Sequence, residues 1–336
     1  MKKWLLGLTL DELVAVSSSL SLPAYTAKQI AGWIYDKRVT TIDEMSNLSK
    51  AAREVLSEQF EVGGFNAREV QHSLDGTRKY LFPTLNGVPV ESVMIPDGER
   101  ATLCVSCQSG CRMGCRFCMT GRMGFRGSLT AGEIISQVIN IEESRELTNI
   151  VFMGMGEPLD NYDEVSKSIG ILTSEWGFGW SPRRITLSSI GIIPALRNFL
   201  DNSRCHLAIS MHSPFDSERE ELIPMQRAYP ISEIIVLIRR YDFTGQRRVS
   251  FEYTMFSGWN DTKRHADAIV KLLKGLECRV NLIRFHQIPD FPYKSSPDIV
   301  IENFRDRLNN AGILATIRAS RGEDILAACG MLSGKN

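Results

Sequence analysis

Residues 101–121 read ATLCVSCQSGCRMGCRFCMTG, and the fold is decided there. Ala101 to Ser106 has the mixed apolar and β-branched character of a strand. A cysteine loop follows it directly. Cys111, Cys115 and Cys118 stand in C-x3-C-x2-C spacing, with Arg112 and Arg116 between them and no acid in the segment. Five of the eight cysteines fall between 104 and 118. Such crowding predicts metal binding or redox chemistry rather than a disulfide framework.

Downstream the same beginning recurs. NIVFMG (149–154), RITLSS (184–189), CHLAIS (205–210), RVSFEYTM (248–255) and RVNLIRF (279–285) read as strands, each followed by a segment of helical periodicity. Thr130 with Glu133 and Asn161 with Glu164 have the spacing of helix-capping pairs. About six strand-then-helix units in succession predict an α/β fold, with parallel strands in a twisted sheet or partial barrel. In that arrangement the cysteine loop follows the first strand and GMGEP (154–158) the second. Ser188 ends the third strand, Ser210-Met211-His212 the fourth and His286 the sixth. The carboxyl ends of parallel strands share one rim, so these residues are expected to form a single site.

Upstream, residues 1–62 read as a small helical domain, with apolar residues at helical spacing in LDELVAVSSSL, AKQIAGWIYDK and LSKAAREVLSEQF. Residues 63–100 read as a β meander turned at Asp75-Gly76 and Asn86-Gly87. Residues 101–336 carry the barrel. With 39 basic and 39 acidic residues among 336, the chain has no basic bias, so any nucleic-acid binding must rest on a local patch. Hydrophobic residues at 43% and charged ones at 23% exclude disordered and fibrous classes. The opening MKKWLLGLTLDEL is interrupted by Asp11 and Glu12, which predicts a cytoplasmic chain with no signal peptide and no membrane span.

Three thiols on one loop leave two metal readings open. Structural zinc takes four ligands and often pairs two knuckles; no second knuckle occurs here, though a distant cysteine or histidine could complete a site. An iron–sulfur cubane held at three corners keeps its fourth iron free for a substrate, and soft thiolates favour it.

At these residues the chain resembles a known family. C111-RMG-C115-RF-C118 is similar to the C-x3-C-x-aromatic-C signature of radical S-adenosylmethionine (SAM) enzymes. VESVMIP, FMGMGEPLDN, SPRRITLSSIGIIPAL, RGEDILAACG and the N-terminal AKQIAGWIYDKRVTTIDEMSNLSK resemble the RlmN/Cfr family of RNA adenine methyltransferases over nearly the whole chain. The resemblance implies a partial (β/α)6 radical SAM barrel that acts on C2 of adenosine in 23S rRNA and tRNA. Cys111, Cys115 and Cys118 would hold a 4Fe–4S cluster. Gly156, Glu157, Ser188, Ser210, Met211, His212 and His286 would line the SAM pocket. Cys329 would carry the methyl group, with Cys104 as its resolving partner through a transient disulfide and Glu91 as proton acceptor. One SAM would methylate Cys329. A second, cleaved at the reduced cluster, would yield the radical that activates that methyl group towards C2. An electron donor such as flavodoxin or ferredoxin and a monomeric enzyme are also implied.

The arginines Arg112, Arg116, Arg122 and Arg126, with Arg183-Arg184 and Arg247-Arg248 elsewhere, are expected to meet RNA phosphates. The neighbouring arginines are also expected to raise the thiolate fraction of Cys104. Two residues depart from the family. Cys107 stands where relatives carry serine, which leaves a C-x3-C-x3-C register conceivable, and His286 replaces a common asparagine. Pro158 and Arg321-Gly322 resemble the C2 branch more than the C8-methylating Cfr branch. From another class, a zinc-stabilised RNA-binding module remains the rival reading.

Overall fold

Ten strands lie side by side in strict chain order in one sheet. They are β1 (Glu69–His72), β2 (Arg78–Phe82), β3 (Val90–Asp97), β4 (Arg100–Cys104) and β5 (Asn149–Phe152), then β6 (Ile185–Ser189), β7 (His206–Ser210), β8 (Val249–Met255), β9 (Arg279–Arg284) and β10 (Leu314–Ile317). The computed structural model describes residues 2–245 and 247–334. β1 to β4 pair antiparallel as the expected meander, and β4 to β10 pair parallel. The six expected strand–helix units are present, and a seventh parallel strand, β10, follows them. β4 belongs to both halves, because Cys104 faces Val93 on its antiparallel neighbour and Val151 on its parallel one.

Parallel strands covered on both faces bury nearly every side chain. Leu207, Ala208 and Ile209 of β7 are all inaccessible, as are Phe251 and Tyr253 of β8. The covering helices are amphipathic: Lys263–Leu273 buries His265, Ala266, Ile269 and Leu273, one helical stripe. Thr130 and Glu133 form the expected reciprocal cap on Ala131–Ile139. Asn161 does not cap Tyr162–Thr173. Its amide donates instead to the carbonyls of Cys107 and Leu129, at 2.9 and 2.8 Å, and so ties down both ends of the cysteine loop.

The first sixty residues form helices Leu10–Ser19, Thr26–Ala31 and Lys50–Gln59, with a π-helical stretch at Gly32–Lys37. Buried Tyr35 donates to the Leu8 carbonyl at 2.6 Å, and Lys167 of the barrel pairs with Glu12 at 2.7 Å. Among the described residues no helix is long and apolar enough to cross a membrane.

Candidate active site

At the carboxyl ends of the parallel strands lies an open cavity of about 170 Å3. Cys111, Cys115 and Cys118 form one wall. Their loop folds largely on itself. Cys118 N–H donates to the Cys115 carbonyl (3.2 Å), Arg126 N–H to Ser109 (2.8 Å) and Leu129 N–H to Cys107 (3.0 Å). Gly110 has φ +69°, and a Cβ there would strike the Gly124 carbonyl, so only glycine lets the two arms of the loop close. Phe117 packs edge-on to His212, with ring centroids 4.7 Å apart. Cys107 does not line the cavity; it is buried in the main core.

Gly156, Glu157, Ser188, Ser210 and His212 line the same cavity, as their strand-end positions predict. The Glu157 carboxylate is buried, which pushes its pKa up to about 7. It accepts from the backbone N–H of Leu159 and of Ile190, both at 3.0 Å, bridging the ends of β5 and β6. His212 is in the left-handed region at φ +56°, and its Nδ1 accepts from Thr254 N–H at 3.0 Å. Burial, and then the charge of Arg219, lower its pKa to about 3, so it is neutral. Met211 and His286 do not line the cavity. The Met211 side chain is in the core, and the His286 ring turns to Ser320, 3.2 Å from Nε2, while Phe285 takes the wall position beside it.

Cys329 is exposed and lines the same cavity, in a segment bonded to the end of the cysteine loop: Met119 N–H donates to the Gly330 carbonyl at 2.8 Å. Cys104 lies just behind the wall, near enough to Cys329 and Arg318 that their charges act on one another. Burial dominates, and the repulsion of Cys329 adds to it. Together they push the Cys104 thiol up to about 12 although Arg318 opposes them, so the expected thiolate enrichment is reversed. All eight cysteines are free thiols, so the expected Cys104–Cys329 disulfide is not formed in this state.

Glu91 is away from the cavity and almost wholly buried. One oxygen pairs with Lys79 Nζ at 3.0 Å; the other accepts from the N–H groups of Ser333 (2.7 Å) and Gly334 (2.9 Å). The carboxylate expected to accept a proton therefore holds the segment that follows Cys329.

Arg112, Arg116, Arg122 and Arg126 are exposed beside the mouth, though Arg112 pairs with Asp160 at 2.8 Å and stacks on Phe125. Arg183-Arg184 and Arg247-Arg248 precede the amino ends of β6 and β8, on the opposite rim. Arg247 is buried and donates to the carbonyls of Cys205 and Leu200, so it cannot meet a phosphate. Sequence reasoning missed Glu252, Thr254 and Arg318 in the cavity wall. Each lies on or just after a parallel strand, β8 or β10, so the strand-end rule that found Ser188 would also have found them.

The radical SAM superfamily signature matches residues 105–269, and that of the ribosomal RNA large subunit methyltransferase N-terminal domain matches residues 4–62. A probable dual-specificity RNA methyltransferase RlmN of Porphyromonas gingivalis is 55% identical over 329 residues, covering 98% of this chain and 96% of the relative. The chain belongs to the RlmN family of radical SAM RNA methyltransferases. A dual-specificity RNA methyltransferase RlmN of Syntrophus aciditrophicus is 44% identical over 332 residues, 98% of this chain and 95% of that one. The crystal structure of a radical SAM methyltransferase from Sphaerobacter thermophilus superposes with a TM-score of 0.92 at 40% identity, covering 99% of this chain and all of that one.

Membership of this family makes the chain a SAM-dependent RNA methyltransferase and implies an iron–sulfur cluster. The donor set fits one. Cys111, Cys115 and Cys118 line one cavity, and three soft thiolates from one loop suit a group that takes one thiolate per iron.

Proposed function

We propose that this chain methylates C2 of adenosine in 23S rRNA, at the peptidyl transferase centre, and in tRNA, next to the anticodon, with Cys329 carrying the methyl group. The observation that supports this most is the placement of exposed Cys329 in one cavity with Cys111, Cys115 and Cys118, with Cys104 and Arg318 close by. A 4Fe–4S cluster on those three cysteines supplies one-electron cleavage of SAM when bound.

The rest falls to the chain. Cys329, at the rim, displaces the methyl group from SAM and presents it to a base drawn out of its stack. Once the carbon bridge joins Cys329 to C2 and the C2 proton has gone, Cys104 gives up its own proton and attacks the Cys329 sulfur. An S–S bond forms, and the carbon leaves with the C–S electron pair and takes a proton. Because burial keeps Cys104 a thiol at rest, that attack belongs to the late step and not to the resting enzyme. Glu91 we assign to holding the Cys329 segment, since both of its oxygens are engaged. A flavodoxin or ferredoxin is the electron donor, and the enzyme works as a monomer.

The test is nucleoside analysis of rRNA and tRNA from a strain lacking the gene, complemented with the wild-type chain or with Cys329→Ala. The wild type restores 2-methyladenosine in both RNAs and the variant in neither. A dominant 8-methyladenosine peak would transfer the chain to the C8 branch. Restoration in one RNA alone would remove the second substrate.

A further inference from the structure

Arg219, on the helix Asp216–Leu222, is the largest of the fully buried side chains. Its guanidinium donates to the carbonyls of Ile190 (2.7 Å), Ser210 (2.9 Å) and Tyr229 (3.3 Å), and to the side-chain oxygen of Gln226. Every one of these acceptors is neutral. Its helix neighbours Glu218 and Glu220 pair elsewhere, with Arg264, His265 and Arg227. The acid nearest in the hydrogen-bond network, Asp216, is exposed and reaches Arg219 only through the amide of Gln226; the buried Glu157 carboxylate acts on Arg219 through space, but its hydrogen bonds go to backbone N–H groups. Burial lowers the Arg219 pKa only to about 10, so the group is a cation at neutral pH. A cation taken out of water without a carboxylate is costly, and carbonyl dipoles offset that only in part.

Its position shows what completes the balance. Ile190 and Ser210, whose carbonyls it grips, line the cavity at the ends of β6 and β7. Its helix is stitched to the cysteine loop by the Arg116 N–H, which donates to Leu222 at 2.9 Å. Leu222 and Ile223 pack in one apolar cluster with Cys111 and Met113. The charges of Arg219 and Cys115 act on one another across that cluster.

We propose that Arg219 is the fixed counter-charge of the iron–sulfur group held by Cys111, Cys115 and Cys118, and that it raises the reduction potential of that group. This rests on the cluster reading given under Proposed function. Three thiolates bring negative charge into an apolar wall, and reduction adds one electron more. A cation fixed nearby in low dielectric favours the reduced form, which is the form that cleaves SAM. Arg219 touches neither SAM nor RNA, so it is a positioning residue. A role confined to gripping carbonyls would leave the potential unmoved.

The experiment is potentiometric titration, followed by electron paramagnetic resonance, of the full chain reconstituted anaerobically with iron and sulfide. Arg219→Gln removes the charge and keeps a donor; Arg219→Lys keeps the charge and loses the planar fork. Gln226→Glu sets a carboxylate against the guanidinium without changing side-chain size. The Gln and Glu variants are expected to make reduction at least about tenfold less favourable, a midpoint about 59 mV more negative for one electron. Arg219→Lys should stay within about twofold of wild type, equal to a shift of about 18 mV. If Arg219→Gln does not fold, Gln226→Glu decides alone. Variants that hold iron at the wild-type midpoint overturn the proposal. A wild-type chain that takes up no iron overturns the cluster reading itself, and that outcome is distinct from an unmoved potential.

Discussion

The cysteine loop and the Cys329 segment line one cavity, yet they are built in different ways. The loop from Cys107 to Leu129 is closed by hydrogen bonds between its own arms, by the glycine that lets those arms meet, and by Asn161 at its two ends. The Cys329 segment makes few bonds of its own. Upstream, Gly322 N–H donates to Asp75 at 3.0 Å, while Ser73 and Leu74 donate to Asp324 at 2.6 and 3.1 Å. Downstream, Met119 N–H and Thr120 Oγ donate to the carbonyls of Gly330 and Leu332, at 2.8 and 2.7 Å, and Glu91 takes Ser333 and Gly334. Gly334, at φ +64°, fits because a Cβ there would come within 2.7 Å of the Pro89 carbonyl. The cysteine loop is thus largely locally encoded, whereas the Cys329 segment is placed by residues more than two hundred positions earlier in the chain.

The sharpest way to separate the halves is to remove a thiol from each. Cys329→Ala should retain full iron and lose methylation entirely. Cys115→Ala should lose both, and Cys107→Ala should keep its iron. Iron quantification beside nucleoside mass analysis reads all three. Iron loss in Cys107→Ala as complete as in Cys115→Ala would break the register on which the local half depends.

Next in size is the remote anchor. Glu91→Ala leaves Lys79 buried without its partner, which should destabilise the cofactor-free chain by about 3–5 kcal/mol in chemical unfolding. Gly334→Ala attacks the same anchor from the other side and leaves the ion pair intact. In both variants amide exchange at residues 329–334 should speed at least about tenfold, with no change in the cysteine loop. Protection kept at Ser333 and Gly334 in Glu91→Ala would show that the segment holds itself.

A smaller effect comes from His212, packed on Phe117 of the loop. Its folded pKa of about 3 is depressed below the unfolded value of 6.5. The unfolded chain therefore binds the extra proton between those limits. Stability is fully present above pH 6.5 and is lost as pH falls towards 3, with a slope of up to ~1.4 kcal/mol per unit. His212→Gln should flatten that part of the pH profile of the cofactor-free chain. An unflattened profile would mean that His212 titrates in the fold as it does in the unfolded chain.

The smallest effect lies at the rim. Arg126 is exposed, whereas Arg122 already donates to the Pro289 carbonyl. Arg126→Ala should lower the log–log salt slope of RNA binding by about 0.7–0.9, and Arg122→Ala by less. Equal slopes in wild type and Arg126→Ala would place Arg126 away from phosphate.

The same division accounts for what could be read from the sequence. Strand–helix alternation follows from local periodicity, and the structure bears it out; the strand-end residues Ser188, Ser210 and His212 come together in one cavity with Cys111, Cys115 and Cys118. Asn161 and Arg247 depart from the sequence expectation, and Glu91 has contacts it did not foresee, for one common reason. Each has the local look of a cap, a strand carboxylate or a basic patch, and each is claimed by a distant partner that spacing cannot reveal. Arg219 was invisible for the same reason, since SEREEL reads as a solvated helix until its arginine is found inside.

The meander β1–β3 reaches both reactive thiols. Through the β3–β4 ladder it holds Val93 opposite Cys104, and through Asp75, at the turn between β1 and β2, it holds the approach to Cys329. A part gripped at two places by one jig keeps its tolerance even when the bench moves. The spacing between Cys104 and Cys329 is therefore referred to the meander as well as to the barrel, and the two thiols share one reference edge.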